Sequence, residues 1–181
     1  MGLFKSKKKK EAEETAAKEA AYMAACRERT RKEFFELTSD RTHMGDFIQS
    51  ESFRGFKGVN INNSYYPEAY KNLRYLAETR PIIPATARYS GERIDLTKCK
   101  LSIYISRTKA HKTPAIMLYI NDLFVGAYTM NTDKATAMVN ALWNHRVTKA
   151  HVEIRFGTVD EKGTQWEYQV YLMTNGIIMK E

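Results

Sequence analysis

Cys99-Lys100-Leu101-Ser102-Ile103-Tyr104-Ile105 is the stretch that decides the fold. Its apolar residues Cys99, Leu101, Ile103 and Ile105 recur every second position, the period of a strand with one buried face. Ile116, Leu118 and Ile120 repeat the pattern, and Asn121-Asp122 is a tight-turn pair that sends the chain back through Leu123–Thr129 as a hairpin. Downstream, Ala150, Val152, Ile154 and Phe156 alternate; after a turn at Asp160–Gly163 so do Trp166, Tyr168, Val170 and Leu172, and Asn175-Gly176 makes the last turn. Short connections of this kind predict one antiparallel sheet built from residues 98–129 and 149–173, of about five to seven strands. Its expected core holds Leu101, Ile103, Leu118, Val152, Ile154 and Val170.

Helices fill the gaps. Pro67 suits a first helical turn, Ala69, Leu73, Leu76 and Ala77 follow at helical spacing, and Pro81 stops the run. Thr132 is a cap for a further helix whose Ala135, Met138, Val139 and Leu142 face inward. The fold class is α+β, with Met138 and Leu142 added to the core.

Upstream the chain changes character. No Gly or Pro occurs from Leu3 through Leu37, and Ala, Glu, Lys and Arg dominate, so residues 1–38 are expected as a long charged projecting helix with little burial of its own. Phe34, Phe35 and Leu37 mark a docking patch at its end. Residues 39–64 carry Gly45, Gly55 and Gly58 with several Asn and Ser, which predicts an irregular arm. Its Phe47, Ile48, Phe53 and Phe56 need a surface to cover them, on the body or on a partner. Residues 65–181 form the compact domain.

The 181 residues carry 29 basic and 21 acidic side chains, a net charge of +8, and 43% are hydrophobic. That supports a folded core and excludes a wholly disordered chain. A basic surplus favours polyanions or acidic protein surfaces as partners. Cys26 and Cys99 belong to no CxxC or Cys/His cluster, so neither disulfide nor zinc framework is expected, and reduced thiols point to a cytoplasmic or otherwise intracellular place, a viral particle included. None of His43, His111, His145 and His151 has a partner at metal spacing, and no GxSxG, GxxxxGK[ST] or GxGxxG run occurs. No catalytic residue, cofactor or metal is expected.

The positions opposite the core are aromatic and basic: Lys100, Ser102, Tyr104, Met117, Tyr119, Lys149, His151, Arg155, Tyr171 and Met173, with Glu153 and Glu167 among them. Interleaved rings and cations are what single-stranded nucleic acids bind, by base stacking and phosphate contact. Tyrosine is also an ordinary strand residue, and the pattern leaves open whether a helix or the arm covers this face. Lys7, Lys8, Lys9 and Lys10 would add a polyanion-seeking tail. Gly2 and Ser6 match the myristoylation pattern, which beside those lysines gives an anionic-membrane reading.

Pro114-Ala115-Ile116-Met117-Leu118-Tyr119-Ile120, followed by Val125-Gly126-Ala127-Tyr128, is similar to the core of HIRAN domains, a family that binds DNA ends. There an Asn-Ala-Ile strand precedes a Gly-Tyr strand. The similarity covers these residues only. In place of the family's acidic Asp-Pro element stands Ala110-His111-Lys112-Thr113-Pro114, and the upstream elements come in another order, so no residue role is carried over.

The leading expectation is a non-enzymatic binding or assembly protein, built like subunits of larger assemblies such as viral or phage ones. It would meet a protein partner or its own copies through Phe34, Phe35, Phe47, Ile48, Phe53 and Phe56. The alternative is a nucleic-acid-binding module using Lys7, Lys8, Lys9, Lys10, Lys100, Tyr104, Tyr119 and Arg155. A membrane-peripheral adaptor comes third.

Overall fold

A computed structural model describes residues 2–63, 66–85, 91–107, 114–159 and 165–179. The turn expected at Asp160–Gly163 and His111 lie outside the described residues. The chain divides into two compact units, residues 1–36 and 37–181.

Helix α1, which supplies the first unit, runs Gly2–Ser39 without a break over 38 residues, its last residues belonging to the second unit. Strong helix formers sustain it. Thr15 and Thr30 turn their hydroxyls back onto the carbonyls of Glu11 and Cys26, at 2.9 and 2.8 Å, so each finds its hydrogen-bond partner within the helix.

The second unit is α+β. Its strands are β1 (Arg41–Ile48), β2 (Lys57–Ile61), β3 (Ile82–Pro84), β4 (Glu92–Ile94), β5 (Lys100–Ser106), β6 (Ala115–Ile120), β7 (Leu123–Tyr128), β8 (Ala150–Val159) and β9 (Gln165–Thr174). Helix α2 (Pro67–Thr79) buries Ala69, Asn72, Leu73 and Leu76, and α3 (Asp133–Trp143) buries Ala135, Met138, Ala141 and Leu142. Both start as their sequences predict. Pro67 opens α2, and the Thr132 hydroxyl accepts the Ala135 N–H at 3.2 Å.

Two corrections concern the sheets. The strands of residues 98–129 and 149–173 do not share one sheet: one is ordered β1-β5-β6-β7 and the other β2-β9-β8-β4-β3, antiparallel throughout. Helix α3 stands between β7 and β8 and carries the chain from one sheet to the other. Residues 39–64 are also not irregular, since β1 and β2 lie within them. Gly45, which reads as a breaker, sits at a bulge where the β1–β5 register shifts after His43.

The sheets meet at both ends. Asn62 and Ala127 exchange two backbone hydrogen bonds of 3.0 Å, joining β2 to β7. At the other joint the Ser50 N–H donates to the Ala150 carbonyl at 2.9 Å, and the Gln49 side chain makes two further bonds. Its amide donates to the Val152 carbonyl at 2.7 Å while its oxygen accepts the Val152 N–H at 2.9 Å. Seven strands, β1-β5-β6-β7-β2-β9-β8, thus run round one core, and β4-β3 branches from β8.

That core holds the residues named for it: Leu101, Ile103, Leu118, Val152, Ile154 and Val170, with Met138 and Leu142. Ile154 is fully buried, so Ile154→Ala is expected to lower stability by roughly 2–5 kcal/mol on chemical denaturation, through lost transfer energy and a residual cavity. A loss under about 1 kcal/mol would mean that β8 presents its other face.

Candidate interaction surfaces

The backs of both sheets are covered in part: Ser102, Met117, Tyr119, His151, Glu153 and Arg155 are buried, whereas Tyr104 and Tyr171 are half-buried. On the four-stranded sheet, Arg41 enters β1 beside two tyrosines of β5 and β6. Its guanidinium lies 4.8 Å from the Tyr104 ring centroid and 5.0 Å from that of Tyr119, and it donates to the Tyr119 hydroxyl. Tyr119 also meets Tyr104 edge-on at 5.0 Å and Phe124 at 5.4 Å. It is buried, and that burial raises its phenol above the ordinary value although Arg41 pulls the other way. Tyr104 is half-buried, and its other neighbour is the exposed His43 ring at 4.9 Å. Below them Asp46 accepts from the Ser102 hydroxyl at 2.6 Å and binds the His43 ring at 2.9 Å, which lowers its carboxyl.

On the five-stranded sheet, the segment after β1 lies over β8. Alternate residues His151, Glu153 and Arg155 point up from the strand, all buried. Glu153 accepts from Arg155 Nε at 2.9 Å, with a second bond from its Nη2, and faces His151 Nε2 at 3.4 Å. Above them Phe53 stacks on His151 at 4.1 Å and the Ser50 carbonyl meets His151 Nδ1 at 2.6 Å. Arg155 reaches under Tyr171, 5.0 Å from its centroid. Burial alone would raise the Glu153 carboxyl; hydrogen bonds from His151 and Arg155 and the charge of the guanidinium more than reverse this and hold it at about 2.

The residues singled out in the sequence therefore do not form one site. Phe47 packs on the core and Ile48, next to it, is 64% exposed. Phe53 lies on His151, and Phe56 is half-buried at the following turn, its N–H donating to the Phe53 carbonyl at 3.0 Å. In α1, Phe34 is half-buried and Phe35 is 70% exposed. Lys8, Lys9 and Lys10 are exposed, while Lys7 falls outside the described side chains. Lys100 pairs with Asp122 at 2.7 Å, and Arg155 is joined to Glu153.

Arg41, Gln49 and Ser50 went unmarked in the sequence. Arg41 gave no signal, standing alone at a helix end. The burial of Met117 and Tyr119 was signalled, because Ala115–Ile120 is an unbroken apolar run and such runs mark strands covered on both faces.

A half-open cleft of about 390 Å³ lies between β2, β9 and the start of α3. Its described lining includes no carboxylate, imidazole or thiol; Tyr128 and Thr132 bond each other at 3.0 Å, and the Asn63 amide reaches the Tyr168 carbonyl. Among the described residues no three His, Cys, Asp or Glu are grouped to hold a metal ion, and no helix is long and apolar enough to cross a membrane. No family model, curated protein or solved structure matches the chain.

Proposed function

We propose that this chain is a non-enzymatic assembly subunit that meets protein surfaces through apolar side chains on α1 and at the end of β1. The observation that carries the reading is the exposure of Tyr22, Met23, Phe35 and Ile48, at 69, 52, 70 and 64%. Aromatic residues and methionine are enriched where proteins meet, and a few such anchors dominate interface energies. Cys26 and Cys99 are free thiols, which suits a reducing compartment.

Nucleic-acid binding is the second reading. It is favoured by Arg41 and His43, which stand exposed on either side of the half-buried Tyr104 ring.

Light scattering with mass resolution, with and without an oligonucleotide, separates the two. The chain alone is expected to exceed the 20.9 kDa of one copy, and the double variant Phe35→Ser/Ile48→Ser to shed part or all of the added mass. A mass of one copy that rises only with oligonucleotide, and falls again steeply with salt, would reverse the order of the two readings.

A further inference from the structure

Resting on the assembly reading, we propose that α1 pairs antiparallel with α1 of a second copy, about an axis at Ala21. The argument starts from the spacing of its side chains. Counted in sevens from Met23, one face of the helix carries Ala16, Met23 and Thr30, alternating with Ala12, Glu19 and Cys26. This face is poor in large apolar groups, so burial alone would not choose a partner or a direction. The flanking positions choose both. In paired helices the residues beside the seam set orientation through charge.

Laid antiparallel about Ala21, the chain places opposite charges together at every seam or flanking position where two charges meet. Lys8 comes opposite Glu36 of the second copy, Lys9 opposite Glu33, and Glu13 opposite Arg27. No like charges meet at these positions. At the axis, Tyr22 meets its own counterpart and Met23 lies beside Glu19, which covers the two large apolar side chains that one copy leaves most exposed near mid-helix. A parallel pair would instead set the seam charges Lys9, Glu19 and Glu33 each against its own copy. The lysine run that begins the helix and the acidic residues that end it, Glu33 and Glu36, thus become two halves of one contact.

The register puts Ala16 opposite Cys26 of the second copy. Within one chain these positions are about 15 Å apart along the helix, beyond disulfide reach. Oxidising the full-length Ala16→Cys variant is therefore expected to give a chain of twice the mass, with a 16–26 disulfide identified by peptide mapping. The unmodified chain, whose Cys26 residues would lie far apart across the axis, should give little. A second test does not depend on sulfur: Glu13→Arg should weaken self-association about tenfold, two attractive pairs becoming repulsive, and Glu13→Arg/Arg27→Glu should restore it.

A 26–26 disulfide in the unmodified chain would indicate parallel pairing and overturn the proposal. A mass above one copy without the 16–26 disulfide, and unmoved by Glu13→Arg, would overturn it too, but would leave the assembly reading standing on other contacts. A single-copy mass at all concentrations with no disulfide would remove both the pair and self-assembly.

Discussion

Replacing Glu153 with glutamine is expected to destabilise the body by roughly 3–5 kcal/mol, because it leaves the buried Arg155 guanidinium facing a neutral amide. The carboxylate is 1% exposed and lies between His151 and Arg155 on alternate positions of β8. Taking the carboxylate from such a row costs far more than the row itself contributes, since the remaining guanidinium charge keeps its desolvation penalty. The same carboxyl sets an acid dependence. Its folded value, about 2, lies below the ordinary 4.5, so its contribution is present above the ordinary carboxyl range and is lost as pH falls from about 5 toward 2. Urea unfolding at neutral and acid pH should show the acid loss in the parent, and in Glu153→Gln a lower stability at neutral pH with a flatter acid limb. A loss under about 1 kcal/mol at neutral pH would mean that water reaches the row.

Gly126→Ala should cost about 3–5 kcal/mol. The residue has φ +144°, a region L side chains rarely adopt, and an added Cβ would stand 2.4 Å from the Asn62 carbonyl oxygen. Backbone strain accounts for about 1–3 kcal/mol, and the two Asn62–Ala127 bonds that must part account for about 1 kcal/mol each. Gly91→Ala is the control. Gly91 also has positive φ, +117°, but nothing lies within 4 Å of its added Cβ, so that variant measures strain without the clash. Equal losses in thermal unfolding would show that the joint between β2 and β7 tolerates separation.

Local periodicity made the main strands and helices of the body legible. Cys99–Ile105, the Asn121-Asp122 turn with both residues at positive φ, and the Thr132 cap each stand where their chemistry puts them. What sequence could not supply was which strands sit side by side. Alternation says that Ile103 and Ile154 face a core; it does not say from which sheet. Nor does it show that Arg41 lies over Tyr104 and Tyr119, or that Phe53 closes over His151, because those contacts join residues far apart in the chain. Glycine misled in one respect. At Gly45 it marks a bulge within a strand, and the same residue type at the same density reads as loop.

The ring of strands also orders events in time. β1 finds its ladder partner in β5, and β2 finds its own in β9, the last strand of the chain. Gln49 must reach Val152, 103 residues onward, before its joint can close. The early strands are therefore made long before the strands they pair with, and on a ribosome they would wait for nearly the whole chain to emerge. Such dependence on distant pairing places folding at the slow end for a chain of this size. A chain cut before β9 leaves β2 without its ladder, however complete the rest.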